Sequence, residues 1–246
     1  MTELLTQCGS ERCKIEQLLA IPEPEKTKTY TPLNHYDFAV NVKTVASNML
    51  RDFTFAKEVY ALSANGNKMF GVLSYASKST SDNDPLRLSI GIRNSHCKSF
   101  RCGVAIGTSV ICCDNLMFRG DITVMRKHTG ENMHEELMDD VVSAIYKSQH
   151  QYSQLCFDAA RMMEIGLDKR ASYEYLGILT GEGILSPTQS SKAFKELDAP
   201  SHPEFEQSNL WSSYNAATEA LKSSPPQSMV RNHSRLHALT EELYLN

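Results

Sequence analysis

Apolar residues recur at helical spacing after Asn34, at Phe38, Val42, Val45 and Met49. With Asn34 or Thr31 placed to cap it, a helix over 35–50 is predicted. The period then changes. Phe53–Leu62 and Met69–Tyr75 flank a turn at 64–67 whose Asn65-Gly66 pair is the strongest short hairpin signal. Beyond a polar loop over Ser77–Pro85, Leu86, Leu88, Ile90 and Ile92 alternate with Arg87, Ser89, Gly91 and Arg93, a half-buried strand with a basic outer face. Phe100–Ile106 and Thr108–Cys113 read as two further strands and Ile122–Met125 as a short one.

From Glu131 the spacing turns helical and stays so. Met133, Leu137, Val141, Ile145, Tyr152, Leu155, Ala159 and Met162 trace one amphipathic stripe to about Gly166. Shorter helices are predicted over Ala171–Leu179, Thr188–Leu197, Ser208–Lys222 and Ser228–Leu243, with breaks at Ser186-Pro187 and Ser224-Pro225-Pro226. The fold class expected is α+β: an antiparallel sheet of about five or six strands, flanked by an N-terminal helix and a larger C-terminal helical region. Residues 1–29, ending among Pro22, Pro24 and charges, read as a weakly ordered lead-in. Residues 30–246 read as one domain, sheet-rich over 30–130 and helical over 131–246.

Composition narrows the class. Hydrophobic residues make up 41 % and charged ones 22 %, which supports a packed core and argues against wholesale disorder. No apolar run approaches the roughly 18 residues of a membrane span, and the N-terminus lacks a signal pattern, so no membrane partner is expected. Seven cysteines, an odd number without secreted-domain spacing, favour reduced thiols and a cytoplasmic setting. The net charge is −4, but it is unevenly spread. From Arg87 to Lys127 seven cations face Asp114 and Asp121 only, a local +5, which leaves −9 for the rest of the chain. A basic centre in an acidic chain reads as a local anion-binding site; the plainer reading is a solvated sheet face.

The candidate chemistry lies in that stretch. Arg93, Asn94, Ser95, His96 and Lys98 crowd the turn after the alternating strand, Cys113-Asp114-Asn115 ends the next one, and Arg126, Lys127 and His128 end the last. Brought to one rim, these groups suit an anion held by several charge-assisted hydrogen bonds. The alternative for Asn94, His96 and Asn115 is a structural one, hydrogen bonding at strand ends. His96, Cys97, Cys102, Cys112, Cys113 and His128 do not have metal-ligand spacing, and no metal or cofactor is expected. His134-Glu135 opens like a zinc-protease helix, but Met138 stands where the second histidine belongs. Nucleophile elbows and phosphate-binding glycine loops are absent, so no catalytic residue is assigned. Trp211 and Tyr214, at i and i+3, read as core, as do Phe100 and Phe118, although Tyr75, Phe100 and Phe118 are also placed to stack bases.

The run GIRNSHCKSFRCGVAIGTSVICCDNLMF followed by GDITVMRKHT resembles the domain-of-unknown-function 932 family, the phage/plasmid-like proteins. Tyr30-Thr-Pro with His35, Gly66–Val72, Ile184-Leu185, Pro203-Glu-Phe205 and the Leu210–Glu219 helix fall in the same order, so the resemblance spans about residues 28–246. Where the family commonly has Asn-Ser-His-Asp, this chain has Cys97 in place of the acid. The resemblance implies a phage, plasmid or prophage setting in a bacterial cytoplasm and no settled activity. The leading expectation is a module that binds nucleic acid, single-stranded DNA above all, through Arg93, Asn94, Ser95, His96, Lys98, Asn115, Arg126, Lys127 and His128, in replication, recombination or annealing. Two alternatives stand beside it: a nucleotide- or nucleic-acid-processing enzyme with His96 and His128 as acid and base and Asp114 orienting, and an oligomeric interaction protein acting on a host factor. A homo-oligomer fits the first and the last.

Overall fold

The computed structural model describes residues 10–78, 86–110, 115–117, 123–224 and 226–246. Its chain order is β1 (Glu11–Cys13), α1 (Ile15–Leu18), α2 (His35–Met49), β2 (Phe53–Ser63), β3 (Lys68–Ser77), β4 (Leu86–Ser95), β5 (Cys102–Val110), β6 (Leu116–Met117), β7 (Thr123–Arg126), α3 (Met133–Glu164), α4 (Lys169–Gly181), α5 (Pro187–Asp198), a 3-10 turn (Pro203–Phe205), α6 (Leu210–Leu221), α7 (Pro226–Thr240) and a closing π turn (Glu241–Leu245). The chain is α+β, and its strands run β1-β2-β3-β4-β5 with β7 and β6 both paired to β5.

Two compact units divide the described residues. The first holds 10–78, 87–107 and 123–150; the second holds 86, 108–110, 115–117 and 151–246. In the first, Asn34 caps α2 by accepting hydrogen bonds from the Tyr36 and Asp37 amides at 2.9 and 3.3 Å, and the helix buries His35, Phe38, Ala39, Val42 and Ala46. The β2–β3 hairpin turns through Ala64, Asn65 and Gly66, all at positive φ. Gly66 is required twice over, because its φ is +84° and a Cβ there would stand 2.6 Å from Ile21 Cδ1.

β4 alternates as expected, with Leu86, Leu88, Ile90 and Ile92 buried and Arg87, Gly91 and Arg93 partly exposed. Antiparallel register sets Phe70 of β3 opposite Arg93 and pairs Cys102 of β5 with Arg126 of β7. The lead-in carries β1, paired to β2, and α1, which buries Leu18; its leucine and isoleucines supply enough apolar surface to dock it. The two strands expected over 100–113 are one continuous strand through Gly107, for which a small residue is no obstacle. Residues 111–114, 118 and 122, which include Asp114, Phe118 and Ile122, lie outside the described residues.

The second unit is mainly helical. Asp168, Ser186 and Asn209 cap α4, α5 and α6 through their side chains, and Pro187 takes the first turn of α5. Trp211 and Tyr214 are core residues, 3 % and 0 % exposed, with near-parallel rings. Among the described residues no helix is long and apolar enough to cross a membrane.

Candidate nucleic-acid interface

Lys98, Arg101 and Lys127 reach one cleft of about 280 Å³ in the first unit, lined also by Tyr30, Phe100 and His128. Register explains the convergence. Because Cys102 pairs with Arg126, the residue before one and the residue after the other, Arg101 and Lys127, are neighbours at the end of the β5–β7 ladder. Like charges side by side repel, and an anion between them relieves that repulsion. Lys98 joins from the turn after β4, where its backbone is left-handed (φ +58°) and its ammonium lies 4.4 Å from the centre of the Tyr30 ring. Among the described residues no carboxylate pairs with Lys98, Arg101 or Lys127.

An aromatic surface continues the cleft along the outer sheet face. Phe100 packs on Phe70 with ring centres 5.3 Å apart and carries the Arg93 guanidinium 5.4 Å from its own centre. Arg93 also donates from Nε to the Arg101 carbonyl at 3.2 Å, and partial burial lowers its pKa. Phe100 itself is only half-buried.

The other expected residues have different places. Asn94 is fully buried: its amide donates to the Leu33 carbonyl at 2.6 Å and to His35 Nδ1 at 2.9 Å, while its oxygen accepts from the Ser95 amide. Ser95 bonds the Ser99 hydroxyl and amide and lies 3.4 Å from Cys97 Sγ. His96, 5 % exposed, donates from Nε2 to the Leu33 carbonyl at 2.9 Å and stacks on His35 at 3.7 Å between ring centres. Burial lowers its pKa, against the Leu33 hydrogen bond and Glu23, which favour the charged ring. Asn94 and His96 thus hold the scaffold together, as the structural alternative has it.

Arg126 is taken up by carboxylates, Asp140 (2.6 Å) and Glu136, which both bind its guanidinium; the Asp140 hydrogen bond above all holds its pKa up. His128 lies buried under the cleft, 5.5 Å from the Tyr30 ring. Neither of its ring nitrogens is hydrogen-bonded, and burial lowers its pKa. Asn115 belongs to the second unit, where its amide donates to the Asn215 side chain at 3.1 Å and to the Asn215 carbonyl at 3.3 Å.

Cys97 is exposed. Partial burial raises the pKa of its thiol, but hydrogen bonds with Ser95 and Ser99 outweigh it and the net shift is downward. Cys102 points inward, and burial pushes its thiol up to about 11. Among the described residues no group of three or more His, Cys, Asp or Glu is placed to hold a metal ion.

A larger cavity, about 430 Å³, lies in the second unit. Lys169 in its lining binds Asp198 at 2.7 Å and Glu206 adds a further negative charge, so it offers an anion no net attraction. The cleft in the first unit is the better-equipped anion site. Comparison of the chain with protein families, curated proteins and solved structures finds no match in any of the three.

Proposed function

We propose that the protein binds single-stranded nucleic acid, DNA in the first place, at the Lys98–Arg101–Lys127 cleft. Phosphates lie against the three cations and a base packs against the half-buried Phe100 ring. The observation that carries this reading is the coincidence, in one cleft, of an aromatic surface with three cations that no carboxylate pairs with among the described residues, since counterion release and stacking are the two sources of sequence-tolerant single-strand affinity. A sequence resembling phage/plasmid-like proteins adds the setting: replication, recombination or annealing in a mobile element. A homo-oligomer, part of the same proposal, lines up several clefts along one strand.

The enzymatic alternative gains nothing from the geometry of its two imidazoles. His96 already spends Nε2 on the Leu33 carbonyl, and His128, although it lines the cleft, is only 5 % exposed with its ring 5.5 Å from that of Tyr30. Anisotropy of a labelled oligothymidylate over a salt series tests the proposal. Three phosphate contacts give a slope of log affinity against log salt of about −2, at roughly −0.7 for each contact. Lack of binding at low salt, or binding that salt leaves unchanged, sinks it.

A further inference from the structure

One wall of the cleft is held in place by a strap that begins at Tyr30. Tyr30, Thr31, Pro32 and Leu33 cross the ends of β4, β7 and α3, and nearly every polar group along them is spoken for. The Tyr30 hydroxyl donates to the His96 carbonyl at 3.3 Å, the Thr31 amide to the His128 carbonyl at 2.9 Å and the Thr31 hydroxyl to the Gly130 carbonyl at 2.8 Å. His134 Nε2 donates to the Pro32 carbonyl at 2.6 Å, and His96 Nε2 shares the Leu33 carbonyl with Asn94. Four imidazoles, those of His35, His96, His128 and His134, therefore gather beneath four consecutive residues.

The hydrogen bonds fix the state of the central ring. His35 Nδ1 receives the Asn94 amide hydrogen, so its one proton sits on Nε2 and goes to the Gly66 carbonyl at 3.0 Å. A second proton on Nδ1 would point at a donor. It would also place a cation at the first turn of α2, where the helix dipole opposes it, and 3.7 Å from the His96 ring. Burial first, and then His96, lower His35 to about 3.

The charged groups around the cluster do not reverse this. From the lead-in, Glu23 favours a charged His96, and the Pro22 carbonyl lies beside that ring. From α2, Asp37 shares a second cleft with Glu23 and His134. From the β4 turn, Lys98 sits on Tyr30, while Arg126, Glu136 and Asp140 satisfy one another. Cys97 and Cys102 bear on Tyr30 and not on the rings of the cluster.

We propose that the three buried rings of this cluster, His35, His96 and His128, form a proton-operated latch on the cleft: proton uptake frees the Tyr30–Leu33 strap, and the cleft then loses Tyr30 and lets go of its strand. The last step rests on the nucleic-acid reading; the latch itself does not. Opening is favoured tenfold per pH unit for each ring that is neutral when strapped and charged when free, beginning near the ordinary histidine value of about 6.5. Its sign separates it from bulk electrostatics, because acid makes a protein more cationic and by itself tightens its hold on DNA.

Hydrogen exchange on the full chain, corrected for intrinsic rates, reads the latch at the Thr31 amide. The expected result is a fall in protection of at least about fifteenfold between pH 6.5 and 5.0, with the α6 amides unchanged. His128→Phe keeps the shape of a ring whose nitrogens bond nothing and removes one titrating group, so its fall is shallower; His96→Gln, which keeps a donor for Leu33, is the second variant. Protection at Thr31 that stays flat, falls only together with α6, or falls as steeply in both variants overturns the latch. An oligothymidylate followed in parallel is released over the same pH range. If it never binds at pH 7.5, the functional reading fails while the exchange result still decides the latch.

Discussion

At the scale of residues, the site depends on which cations remain unpaired. Lys127 and Arg126 are adjacent in sequence, yet among the described residues only Arg126 is bound by carboxylates. Lys127→Ala is expected to weaken strand binding and reduce the salt slope by about 0.7, whereas Arg126→Ala leaves the slope unchanged. Phe100→Ala should cost about 1–3 kcal/mol of binding through lost stacking, measured by the same titration. Asn94→Ala acts on the fold instead. It strands the buried His35 Nδ1 and takes one of two donors from the Leu33 carbonyl, so urea unfolding should show a loss of about 2–3 kcal/mol. Sequence identified the cationic stretch and named Lys98, Lys127 and His128, because charge and turn chemistry are local. It passed over Arg101 and Tyr30, whose place in the cleft follows from the β5–β7 register and from a segment some 70 residues upstream of Lys98.

Elements were legible wherever one periodicity ran unbroken. The α2 helix, the Asn65-Gly66 hairpin, the alternating β4 and the long α3 stripe all lie where the pattern of apolar positions puts them. β1 and α1 were not legible, since three or four residues are too few to show a period and their order comes from docking against β2 and α2. The merging of two expected strands into β5 has a similar cause, because Gly107 looks like punctuation until neighbouring strands hold it extended. Two substitutions test how local signals fix these elements. Asn34→Ala should cost about 1 kcal/mol by removing the α2 cap. Gly66→Ala should cost at least as much, from positive φ together with the Ile21 contact, and thermal melts report both.

For the whole molecule the buried histidines set the response to acid. His35, His96 and His128 have folded pKa values below the ordinary 6.5, so the unfolded chain binds their protons first as pH drops. Their neutral burial therefore costs nothing above about pH 6.5. Below it, each takes away about 1.4 kcal/mol per pH unit until its own folded value is reached, about 3 for His35. Urea midpoints measured from pH 7.5 to 5 should fall steadily, and a constant midpoint would contradict the buried cluster. Ultraviolet crosslinking of oligothymidylate to the intact protein, with the attached residues mapped by mass spectrometry, tests the central claim most directly. The account predicts adducts at Phe100 and Tyr30 that disappear when Lys98, Arg101 and Lys127 are all changed to Glu. Adducts confined to helices α4–α7, or unaffected by the triple change, would contradict it.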